Sequence, residues 1–183
     1  MTEKWLSDVH RTGWNPARAS VNSPALCVLP DGRVRLWFFG GSWEGRDDVG
    51  LWTQVLTPRG EGAWEASVER RVFGVPGRSV GNAVPIQASE TDLWLYVVVS
   101  EPGTWEDAVI WRLHSSDGGE TYDDARLWSD TPGVLVGTPA VQGAARTWLL
   151  PLYNERTWQA WTVRLNAEQE LLEEGEPVRT PRG

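Results

Sequence analysis

Cysteine occurs once in 183 residues, at Cys27, which excludes an internal disulfide framework and a Cys-rich zinc site. Histidine occurs twice, at His10 and His114, so a His-built metal or haem site is not expected. Basic residues are outnumbered, Lys+Arg 17 against Asp+Glu 25, and the formal net charge of −8 argues against a nucleic-acid surface. Long apolar runs are absent. The longest, over 93–99, is far too short to cross a bilayer, so no membrane span is expected. The first residues include Glu3, Lys4 and Asp8 where a secretory leader is apolar. These absences lead to the expectation of an acidic, cytoplasmic protein that needs neither metal nor cofactor. At this length a single domain buries enough surface to fold without staples.

Helix formers are sparse before 167–174, whereas Trp is abundant at 13, with Gly 19 and Pro 12. Short β-branched and aromatic runs punctuated by Gly, Pro, Asp and Asn read as all-β. The chain also repeats itself. Asn22-Ser-Pro-Ala-Leu26, Gly81-Asn-Ala-Val-Pro85 and Gly137-Thr-Pro-Ala-Val141 each precede a turn and an apolar strand, at 34–39, 93–99 and 147–152. Trp37, Trp94 and Trp148 form one column through these strands. Trp52, Trp111 and Trp161 form another through third strands at 49–55, 108–114 and 159–165. Fourth strands are expected at 64–72, 122–128 and, in the third copy, near 177–180.

A unit of roughly 50 residues and four strands has the size of a β-propeller blade. The chain therefore reads as three blades, about 21–74, 80–132 and 136–181, after an N-terminal arm at 1–20. A β-sandwich of twelve strands is the competing architecture. Three blades do not close a ring, which takes four to eight. A homodimer of two three-blade halves would close one of six about a two-fold axis. Residues 4–9 are read as an extra strand near that junction.

Ser115-Ser-Asp-Gly-Gly-Glu-Thr-Tyr122 fits the pattern S-x-D-x-G-x-T-W/Y, the Asp box, in which an Asp accepts backbone N–H bonds in a tight turn and an aromatic packs beneath. Thr57-Pro-Arg-Gly-Glu-Gly-Ala-Trp64 occupies the same place one repeat earlier, with Arg59 where the Asp would be. Together with Ala25-Leu-Cys-Val-Leu-Pro-Asp-Gly-Arg33, Trp37-Phe-Phe-Gly-Gly-Ser-Trp-Glu-Gly-Arg-Asp-Asp-Val49 and Leu149-Leu-Pro-Leu-Tyr153, this box resembles the sialidase (neuraminidase) superfamily, in its Asp-box-repeat branch. The similarity spans about half of a typical six-bladed member.

The resemblance implies a glycoside hydrolase with its site at the propeller's mouth. A general acid is then expected in the loop before the third strand of the first blade, where Asp48 fits best and Asp47 next. Sialidases use a Tyr nucleophile activated by a Glu. Tyr153, with Glu155 beside it, is the candidate pair. Trp43, Glu44 and Arg46 in the first blade, Trp105 and Asp107 in the second, and Arg156 in the third are expected to contact a glycan, which the resemblance allows to be acidic. The resemblance also calls for three Arg around a substrate carboxylate, and the motif carrying the first of them is missing; Arg18 is only a loose substitute. A non-catalytic glycan-binding or scaffold propeller is the alternative reading.

Overall fold

The computed structural model describes residues 19–178. The arm at 1–18, with the expected strand over 4–9 and Arg18, and the last residues from 179 lie outside them. The described chain is all-β: three antiparallel sheets in chain order, with a single short 3-10 turn at Ala144–Arg146. None of its helices is long and apolar enough to cross a membrane.

Sheet 1 contains β1 (Ser20–Val28), β2 (Val34–Gly41) and β3 (Gly50–Pro58), then β4 (Trp64–Ala66) and β5 (Arg70–Phe73), which both pair with β3. The expected continuous fourth strand is thus broken. At the break, Ser67 takes over the edge: its Oγ accepts from the Val55 amide at 3.0 Å and its carbonyl from Gln54 Nε2 at 2.8 Å. Sheet 2 is an unbroken meander of β6 (Ser79–Gln87), β7 (Leu93–Ser100), β8 (Val109–Ser115) and β9 (Asp123–Ser129).

Sheet 3 opens with two short pieces, β10 (Val134–Leu135) and β11 (Val141–Gln142), which both pair with β12 (Trp148–Asn154). β13 (Gln159–Leu165) and β14 (Leu171–Glu174) complete it. The last strand therefore lies earlier than expected, within a stretch rich in helix formers. Pairing of Val163 with Glu174 and Arg164 with Glu173 overrides local propensity there.

The register confirms one Trp column and corrects the other. Trp52, Trp111 and Trp161 are each the third residue of their strand, opposite Phe38, Val97 and Leu152. Trp37, Trp94 and Trp148 do not share a register, being the fourth, second and first residues of theirs.

Alternation sorts the side chains into two cores. Leu93, Leu95, Val97 and Val99 of β7 pack with Trp37, Phe39 and Leu51 of sheet 1. Tyr96 and Val98 of the same strand pack with Leu150, Leu152 and Val163 of sheet 3. Sheet 2 is thus covered on both faces, which is why β7 reads as a continuous apolar run.

Candidate functional site

The Asp box occupies the β8–β9 turn. Asp117 accepts from the Thr121 amide at 2.8 Å, the Thr121 hydroxyl at 2.6 Å and the Ser115 hydroxyl at 2.8 Å. Partial desolvation works against the charge, but the hydrogen bonds from Thr121, Ser115 and the Glu120 backbone outweigh it and hold the carboxyl well below the usual carboxylate range. Gly119 has φ +93, and a Cβ there would come within 2.9 Å of both Arg35 Nε and the Tyr122 hydroxyl. Only glycine fits. The decayed copy in sheet 1 closes differently, through Arg59 N–H to the Ala63 carbonyl at 2.9 Å and an Arg59–Glu65 ion pair.

The loops joining second to third strands are chained together. Gly103 N–H of sheet 2 donates to the Gly45 carbonyl of sheet 1 at 2.9 Å. Arg156 of sheet 3 donates through Nε to the Glu106 carbonyl of sheet 2. The Glu155 amide donates to the Gly133 carbonyl at 2.8 Å, and the Gly133 amide to the Ala108 carbonyl at 2.9 Å.

Beneath these loops lies a cavity of about 160 Å³ lined from all three sheets, with Glu44, Trp105, Tyr153 and Glu155 among its walls. Four of the nine site residues expected from the sequence therefore meet. Glu44 Oε2 accepts from Asn22 Nδ2 at 2.7 Å. Trp105 lies against the backbone of Gly81, where a Cβ would meet the indole at 3.0 Å. Burial pushes the Tyr153 phenol above its ordinary pKa, the Glu155 charge pushes the same way, and a hydrogen bond with Asn82 opposes both. Tyr153 is thus held as a neutral phenol.

The other five residues lie elsewhere. Asp48 accepts from the Ser42 amide at 2.9 Å and hydroxyl at 3.0 Å, and lines a separate hollow with Asp47 and Arg71. Asp107 accepts from the Glu101 amide at 3.1 Å. The two carboxylates perform the same task in equivalent loops: each caps an amide six residues earlier. The repetition is a loop staple, and the structure does not place Asp48 with Tyr153. Arg46 is exposed, Arg156 is spent on the Glu106 carbonyl, and Trp43 is 69% exposed. Among the described residues lining the cavity there is no Arg or Lys.

Sequence reasoning missed Ser23 and Asn82, which also line the cavity. The signal was present: both are the second residue of a repeat opener, a polar residue recurring before an apolar strand. Among the described residues, no group of three or more His, Cys, Asp or Glu is placed to hold a metal ion.

Three antiparallel sheets in series, of five, four and five strands, one closed by a complete Asp box, define an Asp-box-repeat protein of the sialidase-related branch. The sequence profile of the BNR repeat-like domain matches residues 14–182, and the chain belongs to that family. No curated protein matches the chain. Its fold is similar to the crystal structure of a protein of unknown function from Dyadobacter fermentans DSM 18053, with a TM-score of 0.65 and 11% sequence identity, covering 88% of this chain and 55% of that one. The chain spans about half the length of that solved relative.

Proposed function

We propose that the chain is a three-blade half of a six-bladed propeller, and that the cavity under its loops binds the terminal ring of an uncharged saccharide. One observation carries this reading: Glu44, Asn82, Trp105, Tyr153 and Glu155, from three successive repeats, line a single cavity. Carboxylates and an amide match sugar hydroxyls, a neutral phenol both donates and accepts, and an indole edge offers apolar contact. Two carboxylates without a guanidinium disfavour sialic acid, which needs fixed positive charge. The volume is below the ~300–1,000 Å³ of ordinary ligand pockets, which suits one ring and not a buried chain.

Closure of the ring by a second copy is part of the proposal. Leu26 and Val28, 61% and 69% exposed, lie on the face of sheet 1 turned away from sheet 2. Val141 and Leu149, 60% and 40% exposed, lie on the corresponding face of sheet 3. Two such faces on one molecule favour association.

Glycoside hydrolysis is the second reading. The coupling of the Glu155 charge to the Tyr153 phenol favours it, because a carboxylate beside a Tyr is the base that a Tyr nucleophile requires. Titration with methyl α- and β-hexosides, followed by the indole N–H resonance of Trp105, tests the binding reading, and chromogenic glycosides test the catalytic one. A saccharide that moves the Trp105 resonance without turnover supports binding alone. Turnover that is lost in Tyr153→Phe supports hydrolysis.

A further inference from the structure

A second cleft, larger than the mouth cavity, lies between the outer strand of sheet 2 and the outer half of sheet 3. Its volume is about 640 Å³, within the range of ordinary ligand pockets, and it shares no lining residue with the mouth. Trp128 of β9 and Trp161 of β13 form apolar wall, each half-buried and packed against the core. Gln159, Glu174 and Glu176 supply polar lining, along with the hydroxyls of Thr131 and Thr157.

Between Thr157 and Gln159 stands Trp158, 85% exposed and held at φ +56. Its amide donates to the Asn154 carbonyl at 2.8 Å, which fixes this left-handed turn. A bulky residue rarely adopts that conformation, and an indole rarely stands so fully in water. Trp158 itself is not part of the lining, but the residues on either side of it are, so its exposed indole offers a stacking face next to the aromatic-walled cleft.

We propose that this cleft is a second saccharide site, taking an uncharged disaccharide or longer glycan with one ring against Trp128 and Trp161 and another against Trp158. The sugar's C–H faces match the indoles, and its hydroxyls match the amide, carboxylate and hydroxyl groups around them. Glu174 and Glu176 disfavour phosphates and acidic sugars. A quaternary ammonium would use the indoles and carboxylates but leave the Gln159 and Thr donors without partners.

The test follows the indole N–H resonances of Trp128, Trp158 and Trp161, assigned with Trp→Phe variants, during titration with cellobiose, maltose, lactose and N,N′-diacetylchitobiose. Choline is the contrasting ligand. At least one disaccharide should shift all three resonances, and Trp158→Ala, a change at an exposed position, should raise its Kd about 3- to 10-fold. Tyr153→Phe should leave these shifts intact, which separates the cleft from the mouth. Absence of shifts with every disaccharide, shifts with choline alone, or an unchanged Kd in Trp158→Ala would each overturn the proposal.

Discussion

The indole Nε1 of Trp37 donates to the hydroxyl of Tyr122 across 2.9 Å, tying the core of sheet 1 to the Asp-box turn of sheet 2. The same connection recurs one sheet later with different residues. Tyr96, one position before the partner of the Trp column as Trp37 is, donates its hydroxyl to Gln169 Oε1 at 3.1 Å in the β13–β14 turn. Arg35 pairs with Glu120 at the first junction, and Arg112 donates to the Gln169 carbonyl at 2.7 Å at the second. The turns between third and fourth strands of sheets 2 and 3 thus each latch onto the preceding sheet. The Asp box is the form this latch takes where a free carboxylate shapes the turn.

The latch predicts that junction mutants lose stability and not ligand affinity. Arg35 is buried whereas Glu120 is exposed and also faces Arg70, so Arg35→Ala acts by emptying a packed position and removing one ion pair, not by stranding a charge. A loss of about 2–4 kcal/mol in denaturant unfolding is expected. Gln169→Ala, which empties a fully buried position in the second latch, should cost about 1–3 kcal/mol.

Asp117 gives the fold an acid-sensitive element. Its native pKa is depressed, so its contribution is complete above the unfolded carboxylate pKa of about 4 and is lost as pH falls below that value. Asp117→Asn should lower Tm at pH 7, and the gap from the parent chain should narrow steadily below pH ~4. A gap independent of pH would contradict the hydrogen-bonding account of the turn.

Tyr122 contributes to the alkaline limit beside Tyr96, whose phenol burial raises still further. Burial pushes its phenol up to about 12, against which a hydrogen bond from Trp37 works only partly. The native state then holds the phenol proton more tightly than the unfolded chain. Stability is intact below the unfolded Tyr pKa of about 10 and falls between there and pH 12. Tyr122→Phe should flatten that alkaline decline while lowering Tm at neutral pH, as followed by circular dichroism.

Arg156 is a positioning residue. Its bond to the Glu106 carbonyl holds the loop bearing Glu155 against the loop bearing Trp105. Arg156→Ala should change overall stability by only about 0.5–1.5 kcal/mol yet weaken saccharide binding at the mouth several-fold. Calorimetric titration beside thermal melts separates the two effects.

Association is tested by light scattering. The proposed closed ring requires twice the 20.5 kDa chain mass. Leu26→Glu and Leu149→Glu, each on an outward sheet face, should return the chain to monomer.

Much of the fold was legible because repetition is written in residue type. The repeat openers and the Asp box locate the sheets, and the third-strand Trp column falls in register. The inner Trp column misled because an indole fills whichever core position offers room, so Trp37, Trp94 and Trp148 sit at three different heights. The site was legible only in part. Glu44, Trp105, Tyr153 and Glu155, expected from loop position, line one cavity, but a carboxylate that staples a loop looks the same in sequence as one that faces a ligand. Asp48 and Asp107 are such staples. Their spacing, six residues after the amide each caps, distinguishes them only when the loops are seen folded.

The central claim is that the cavity joining three repeats, and not the acidic loop at Asp48, receives the sugar. Calorimetric titration of Glu155→Gln and Asp48→Asn with the methyl hexoside that binds the parent chain tests it directly. Glu155→Gln should weaken binding about tenfold, the scale of one lost charged hydrogen bond, while Asp48→Asn should bind as the parent does and only melt earlier. Loss of affinity in Asp48→Asn with Glu155→Gln unaffected would contradict it.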